Sequence, residues 1–436
     1  SRGLGDVYKR QDLSMHIHAK GEVIDTIDAP NNNQEQTTKV RAAGGAGRYS
    51  VDITVVCDIN QLSDTEAFQV PFKVFSFDLE TSIKYESVLC AAAWIEDMGT
   101  GVRQKYALEG DEAHILEQLT LIVRSQDPDI ITGYNIDNFD MGRIVDRANL
   151  IAKSNKPLRS QLMGWGRVAA TEQGRRRDTL TPTRGSARAW NMAGRCVMDA
   201  WWQARQALKP PRETLSFVAT LLFPDDEEKH KMDVDASNMD EEWANRPDEV
   251  LAYCVRDAEL PLDILGAIQA VRRKEAVAAV AKVPFETAAN GSTSQLIDSL
   301  VIRLADKEHV AVPLTGSAEA KEGQIAGGYV HDVEAGLHPW IAVLDFKSMY
   351  PSIMIGHNIC YTTRIDPAQP NPPAEGQYHT SPIESKFRLA EDRKGMVPAL
   401  LEDLMAQRDE HKAAIKVAKT HIASSIINSP QNGAKI

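Results

Sequence analysis

The sequence predicts an α/β protein, and three observations lead to this class. Short apolar strands alternate with helical segments between residues 72 and 150, and this alternation is typical of an α/β core. The chain has 436 residues, which at roughly 100–200 residues per domain allows two to four domains. Its composition, 43% hydrophobic and 25% charged residues, is ordinary for a globular protein.

Charge and cysteine content narrow the functional classes. The net charge of −12 does not indicate a nucleic-acid binder, but it does not exclude one, because binding depends on where the charge lies. Much of the acidic excess lies in residues 225–242, which we interpret as a solvated loop. The five cysteines are widely scattered without a C-x-x-C pair, which argues against a disulfide framework or a zinc site and predicts reduced thiols. Apolar runs such as Val88–Ile95 are far shorter than the roughly 20 residues of a membrane-spanning helix, so no membrane partner is expected.

The N-terminal region divides into two parts. Ser1–Gln11 (SRGLGDVYKRQ) is similar to translated adaptor sequence, and the alternative is a disordered native terminus. Because no Met begins the chain, we expect a fragment at this end. Residues 12–70 contain short alternating stretches such as Tyr49–Cys57, which predict part of a small β-rich domain.

The next segment gives the clearest pattern. Phe72–Leu79 predicts an apolar strand, and Val88–Trp94 predicts its hairpin partner. Ala113–Ser125 has helical periodicity. Asp129–Thr132 predicts a short buried strand, and a turn and a helix over Met141–Leu150 follow it.

The remaining elements are fewer and longer. Residues 164–194 are rich in Gly and Arg and predict a loop or hairpin. Helices are expected over Pro247–Ala281 and Ser294–Glu308, and a buried strand over Trp340–Phe346. From Pro398 onward the sequence predicts one charged helix.

Three clusters carry candidate chemistry. Asp78 and Glu80 are two apart on a predicted strand and therefore share a face, where hard divalent cations would compensate a buried acidic pair. Asp140 follows the predicted strand at 129–132, at the carboxyl end where α/β proteins place their sites. Tyr253 and Asp257 are four apart and share a helix face. The alternatives are a surface acidic pair, a helix N-cap at Asp140, and a phenol packed on the core beside a surface carboxylate.

Taken in order, D-x-E, N-x-x-x-F-D and Y-x-x-x-D resemble the three motifs of proofreading 3′→5′ exonucleases of the ribonuclease-H-like fold. Lys73–Glu80 and Asp127–Asp140 resemble the matching blocks of archaeal and eukaryotic family B DNA polymerases, and Gly194–Asp199 resembles the G-R-x-x-x-D segment between the second and third motifs. The resemblance implies a mixed sheet flanked by helices.

The resemblance also implies roles for the clustered residues. Two Mg²⁺ ions would be held by four carboxylates, namely Asp78, Glu80, Asp140 and Asp257. Tyr253 would orient the attacking water, and Asn135 and Phe139 would contact the end of the primer strand. For Asn135 and Phe139, a turn or core-packing role is the alternative.

A second block, Val343–Ile353, resembles motif A of family B polymerases, with Met349 in the position usually held by Leu. The resemblance implies that Asp345 holds the two Mg²⁺ ions of the polymerase site in the full-length parent. The backbone of Phe346, Lys347, Ser348 and Met349 would cradle the triphosphate, and Tyr350 would exclude a 2′-hydroxyl.

Two further segments flank motif A. Gly327 and Gly328 resemble the Y-x-G-G loop that contacts DNA, although Ile325 replaces its Tyr and a simple turn is the alternative. Residues 386–408 resemble the approach to the fingers. The blocks K-x-x-x-N-S-x-Y-G and Y-x-D-T-D are absent from the sequence, so this chain is not expected to extend primers by itself.

The resemblance therefore predicts an N-terminal fragment of a replicative family B DNA polymerase with a proofreading exonuclease. Its expected parts are an adaptor-like segment (1–11), a partial N-terminal domain (12–70), an exonuclease domain (71–280), a connection (281–335), a partial palm (336–398) and a truncated fingers helix (399–436). The implied partners are primer–template DNA, deoxynucleoside triphosphates and a sliding clamp, in a cytoplasmic, nucleoid-associated location.

Two other functions are alternatives to this one. A stand-alone 3′→5′ exonuclease would have no use for motif A. A non-catalytic DNA-binding module with a decayed site would not keep four carboxylates together with Tyr253.

Overall fold

The computed structural model describes residues 68–427 apart from 168–180, 183–189, 193, 227–228, 230–233, 313–326, 367 and 369–372, with backbone only at 181–182, 191 and 422–427. Before residue 68 it describes the backbone of six short strands. Two compact units, Ser1–Leu300 and Val301–Ile436, make up the chain, and each is described by itself.

The six short strands form three antiparallel pairs. β1 (Ile17–Ala19) pairs with β6 (Leu62–Asp64), β2 (Glu22–Thr26) with β5 (Ile53–Val56), and β3 (Thr38–Ala42) with β4 (Gly45–Tyr49). The β-rich character predicted for residues 12–70 is confirmed.

A five-stranded mixed sheet forms the centre of the first unit. Its strands are β7 (Lys73–Thr81), β8 (Val88–Asp97), β9 (Arg103–Glu109), β10 (Ile130–Thr132) and β13 (Cys196–Val197), in the order β13-β10-β7-β8-β9. The β7–β8 and β8–β9 pairs are antiparallel, whereas β10 runs parallel to both β7 and β13. β11 (Thr181–Pro182) and β12 (Trp190–Asn191) form a separate short ribbon. The predicted strands, their hairpin and the α/β class are confirmed.

Ten helices belong to or begin in the described part of this unit. They are α1 (Glu112–Gln126), α2 (Asp140–Ala152), α3 (Lys156–Met163), α4 (Ala200–Leu208), α5 (Leu215–Leu222), α6 (Met239–Asn245), α7 (Pro247–Ala267), α8 (Ala270–Ala281), α9 (Phe285–Asn290) and α10 (Thr293–Lys307). The face of α1 predicted to be apolar is buried. The helical region predicted over residues 247–281 is broken at Gln269, whose φ of +53° ends α7 and begins α8.

The two faces of β7 belong to different cores because successive side chains of a strand point to opposite sides. Phe75 and Phe77 pack on one side against Trp165. The Trp165 ring is edge-on to both, with its centroid 5.7 Å from that of Phe75 and 5.2 Å from that of Phe77. The other face of the β7–β8 hairpin is covered by α7, where Cys90 and Ala92 lie in one cluster with residues of that helix. The candidate carboxylates therefore lie under α7.

The prediction of a solvated loop over residues 225–242 is wrong for its last residues, which begin helix α6 (Met239–Asn245). Asp240 belongs to α6, and its carboxylate accepts hydrogen bonds from the Ser82 hydroxyl at 2.6 Å and from the backbone N–H of Ile83 and Lys84 at 2.9 and 3.2 Å. Asp240 thus fixes the turn that immediately follows β7.

The second unit is smaller. It contains α11 (Met349–Gly356), the hairpin of β14 (Tyr378–Thr380) and β15 (Lys386–Arg388), and α12 (Met396–Ile427), with a small core at Ala305, Cys360 and Met396. The long charged helix predicted from Pro398 is confirmed and begins two residues earlier.

The buried strand predicted over Trp340–Phe346 is wrong. No strand forms there, and Trp340 and Leu344 are 99% and 95% exposed. A strand requires a neighbour for its backbone hydrogen bonds, and the described residues of this unit pair none with this segment. Among the described residues, no helix is both long and apolar enough to cross a bilayer.

Candidate active site

Strand β7 places the first two carboxylates side by side on its α7 face. Asp78 pairs across the ladder with Ala92, and Glu80 pairs with Cys90, so small side chains of β8 lie directly beside them. These small residues, with Ala258 of α7, let the helix approach the sheet closely. Glu80 is buried and Asp78 half-buried.

Asp140 reaches the same place from the first turn of α2. Its buried carboxylate lies beside its own backbone N–H and that of Leu79, the residue between Asp78 and Glu80, and both N–H groups lower its pKa against the effect of burial. The N-cap position of α2 is Phe139, so the alternative that Asp140 caps the helix does not apply. Gly133, at the end of β10, permits this approach because a methyl group there would overlap the carbonyl oxygen of Phe77.

Helix α7 supplies the remaining residues of the candidate active site. Tyr253 and Asp257 lie one turn apart, and the phenol donates a hydrogen bond to the Asp257 carboxylate. Cys254 faces the sheet, where its thiol donates to the backbone carbonyl of Asp78 at 3.4 Å. The phenol is therefore oriented by a member of the cluster.

The carboxylates repel one another in a poorly solvated setting. Burial, and then the charges of Asp257 and Asp140, raise the pKa of Glu80 to about 8. Burial likewise raises the pKa of Asp140 to about 7 and that of Asp257 to about 6, and the pKa of Asp78 is raised by burial and by its three acidic neighbours. Arg256 lowers the pKa of Asp257 and so partly offsets the effect of burial there. The cluster thus has excess negative charge.

One donor group was not anticipated from the sequence. Among the described residues, Asp78, Glu80 and Cys254 present two carboxylate oxygens and a sulfur that all lie within 4.8 Å of one another. In the sequence, Cys254 belongs to an apolar i, i+4 stripe with Val250 and Ala258, which indicates only core packing. Nothing in that pattern distinguishes a thiol directed at carboxylates from one in the core.

The turn after β10 holds the two residues expected to contact DNA. Asn135 has a left-handed φ of +65° and accepts a hydrogen bond from the Asn138 side chain at 2.6 Å. Phe139 is 44% exposed, and the guanidinium of Arg143 lies 5.5 Å from its ring centre. Phe139 therefore presents ring surface to solvent one residue before Asp140.

Sequence reasoning also missed the role of Asp199 at the end of β13. Its buried carboxylate accepts the backbone N–H groups of Asn135, Asp137 and Trp201 at 2.9, 3.1 and 2.9 Å. Although these bonds favour the ionised form, burial raises the pKa of Asp199 to about 6. One side chain therefore fixes both the turn after β10 and the first turn of α4.

Motif A is placed differently from expectation. Asp345 lies on the exposed, irregular segment before α11, and Tyr350, in the first turn of that helix, is 75% exposed. Ser348 has a φ of +52°, and Lys347 forms an exposed ion pair with Asp409 of α12 at 2.7 Å. Gly327 and Gly328 lie in irregular backbone with open space where a side chain would be. Ile325 lies outside the described residues.

Comparison with known proteins gives matches along both units. The family model described as "DNA polymerase family B, exonuclease domain" matches residues 102–218, and the model for DNA polymerase family B matches residues 283–436. The chain belongs to DNA polymerase family B. The two models together match more than half of this family B chain, including motif A and the segment through Asp140.

Curated relatives of this family B chain carry the name DNA polymerase delta catalytic subunit. The cattle protein is 28% identical over 76% of the chain, and the Drosophila melanogaster protein is 27% identical over 84%. The chain spans about a third of the length of these relatives, 30% and 36% respectively. It is also similar in fold to the family B DNA polymerase of the archaeon Pyrobaculum calidifontis, with a TM-score of 0.59, 20% identity and coverage of 89% of this chain and 48% of that one.

Proposed function

We propose that this chain is part of a replicative family B DNA polymerase and that residues 71–280 form its proofreading 3′→5′ exonuclease domain. One observation carries the proposal: Asp78, Glu80, Asp140 and Asp257 converge from three segments on one buried site, where burial raises all four pKa values and neighbouring carboxylates raise those of Asp78, Glu80 and Asp140 further. A protein retains such costly repulsion where a cation compensates it.

The donor set fits divalent metal ions. Asp78, Glu80, Asp140 and Asp257 would hold two Mg²⁺ ions, since hard cations prefer carboxylate oxygens. When bound, such a pair activates a water molecule and stabilises the departing 3′ oxygen of a phosphodiester. The raised pKa values of all four carboxylates, which reflect negative charge in a poorly solvated site, support this assignment.

The protein groups around the metals would position the substrate. Tyr253, whose hydroxyl is directed at Asp257, would orient the attacking water. Phe139 offers an exposed ring on which a terminal base can stack, and the left-handed turn at Asn135 directs a polar side chain beside it. Burial under α7 limits access of bulk water to Glu80 and Asp140.

The second unit would contribute to the polymerase site. Residues 281–335 would connect the exonuclease domain to a partial palm at 336–398, and 399–436 would begin the fingers. Asp345 would hold two Mg²⁺ ions, the backbone of residues 346–349 would bind the triphosphate, and Tyr350 would lie under the sugar. Gly327 and Gly328 would contact the DNA backbone, which their open surroundings permit.

The proposal implies several partners. Primer–template DNA and deoxynucleoside triphosphates would be the substrates, and a sliding clamp a further partner. The protein would act at the nucleoid in the cytoplasm. Residues 12–70 would be part of an N-terminal domain, and Ser1–Gln11 an adaptor-like segment.

The exonuclease proposal is tested with 5′-labelled single-stranded DNA and Mg²⁺. Asp78→Ala or Asp257→Ala should lower the rate of 3′-end degradation by more than about 10³-fold, which corresponds to about 4 kcal/mol. Glu259→Ala is the matched control, because Glu259 lies on α7 only two residues from Asp257 but lines a separate groove with Trp94 and Lys105. EDTA should abolish the activity, and cleavage that persists in EDTA would contradict the two-metal assignment.

The polymerase proposal is tested at Tyr350 in a longer protein that contains this chain. Tyr350→Ala should increase incorporation of ribonucleotides relative to deoxyribonucleotides, whereas Tyr361→Ala, in the following turn, should not. An unchanged ratio in the Tyr350 variant would assign that ring to packing alone.

A further inference from the structure

Cys254 lies against the metal-binding carboxylates without belonging to the proposed Mg²⁺ set. Its sulfur and the oxygens of Asp78 and Glu80 lie within 4.8 Å of one another, and all three groups approach from the surfaces enclosed between β7 and α7. The Cys254 thiol, which donates to the backbone carbonyl of Asp78, is also near enough to the Asp78 carboxylate to lower its pKa. The sulfur is therefore directed into the acidic cluster.

These three atoms have the arrangement of a mixed sulfur–oxygen metal site. Zn²⁺ binds thiolate sulfur at about 2.3 Å and carboxylate oxygen at about 2.0–2.2 Å, which in a tetrahedron places the ligand atoms about 3.5 Å apart. The three groups would have to close by only about 1 Å to reach that spacing.

We propose that Asp78, Glu80 and Cys254 form a second, alternative site for one thiophilic divalent cation, of the class of Zn²⁺ or Cd²⁺. Thiolate ligands select such ions, whereas Mg²⁺ prefers oxygen. Binding replaces the S–H bond with a sulfur–metal bond and releases the proton to solvent. Because the site shares Asp78 and Glu80 with the proposed Mg²⁺ ions, the thiophilic ion competes with Mg²⁺ and inhibits the exonuclease.

Cd²⁺ binding gives a readout that is independent of nuclease activity, since sulfur-to-cadmium charge transfer absorbs in the ultraviolet. The full chain should develop this absorption on titration with Cd²⁺, and excess Mg²⁺ should suppress it. Cys254→Ser and Cys254→Ala should each weaken Cd²⁺ affinity at least about 10-fold while changing Mg²⁺ affinity much less. Two variants are used because Cys254 is fully buried, and circular dichroism checks that each is folded.

Cys196→Ser is the matched control, because Cys196 is also buried in this unit, on β13, but is not one of the three clustered donors. It should retain the absorption band. Loss of the band in Cys196→Ser with retention in the Cys254 variants would overturn the proposal, as would wild-type Cd²⁺ affinity in a folded Cys254 variant.

The predicted inhibition of the exonuclease rests on the proposed function, whereas binding of the thiophilic cation does not. If the chain shows no Mg²⁺-dependent nuclease activity but the band depends on Cys254 and Glu80, the exonuclease proposal fails and the metal site stands. If nuclease activity is present and Zn²⁺ inhibits wild type and Cys254 variants equally, the site proposed here is wrong.

Discussion

The carboxylate of Asp199 accepts the backbone N–H of Asn135 at 2.9 Å, so the end of one strand fixes the turn that follows its neighbour. That turn leads directly into Phe139 and Asp140. The geometry of the candidate site therefore depends on a side chain whose hydrogen bonds go to the backbone of the neighbouring turn and helix and not to a proposed metal ligand.

Asp199→Ala should destabilise the exonuclease unit by about 2 kcal/mol, because it removes the cap of α4 and leaves the N–H groups of Asn135 and Asp137 without their acceptor. Urea unfolding followed by circular dichroism measures the change. Asp199→Asn keeps one acceptor oxygen and should lose less. Equal stability of the alanine variant and the wild type would show that water replaces these bonds without cost.

Tyr253→Phe should lower the exonuclease rate by about 10–100-fold while leaving Mg²⁺ binding intact, because only the hydroxyl that contacts Asp257 is removed. Single-turnover cleavage and metal titration separate the two effects. Tyr106→Phe is the control, since that hydroxyl bonds Gln126 in a different part of the unit. A parallel loss of Mg²⁺ affinity would mean that Tyr253 acts through the ligand geometry instead.

Phe139→Ala should weaken binding of single-stranded DNA by about 1–3 kcal/mol, the usual value of stacking one base on an aromatic ring. Fluorescence anisotropy in a chelator measures binding without cleavage. Leu150→Ala tests the effect of losing exposed apolar surface alone. Leu150 is 58% exposed and lies on α2, ten residues from Asp140. Similar losses in both variants would argue against stacking at Phe139.

The metal-free protein should become less stable as pH rises from about 6 to about 8.5. The folded-state pKa values of Glu80 and Asp140, about 8 and about 7, lie above their unfolded values, so the folded state binds more protons in this range and its stability falls as they ionise. We expect a loss of about 2 kcal/mol in EDTA.

Mg²⁺ should restore stability chiefly at the high end of that range, where the carboxylates are ionised. Thermal unfolding in EDTA and in Mg²⁺ at each pH provides the comparison. Glu80→Gln should flatten the pH dependence in EDTA, whereas Glu259→Gln should not. Greater stability of the metal-free wild type at pH 8.5 than at pH 6 would refute the charge repulsion inferred for the site.

Much of the site could be predicted because it follows from local periodicity. Two-residue spacing on a strand places Asp78 and Glu80 on one face, and four-residue spacing on a helix does the same for Tyr253 and Asp257. These relations hold whatever the rest of the chain does. The same reasoning located β7, β8, α1 and α2 to within a few residues.

The features that could not be predicted depend on distances between elements. Cys254 contacts Asp78 because small residues let α7 approach the sheet closely. The spacing of residues along one helix does not reveal how far that helix lies from the sheet. The segment 340–346 has the composition of a strand, but strand formation requires a pairing partner, which composition does not supply. The break between α7 and α8 also could not be predicted, because the residue with left-handed backbone there is Gln269 and not a Gly or Pro.

The thiol of Cys254 and the carbonyl of Asp78 are joined by a hydrogen bond across 176 positions of sequence. Such a contact raises the contact order of the unit, and closing a loop of this length has an entropic cost that slows folding. During synthesis, Asp78 and Glu80 emerge from the ribosome long before α7 exists to cover them. The acidic site is therefore among the last features of this unit to form, and we expect the proposed nuclease activity only after residues beyond Asp257 have folded onto β7.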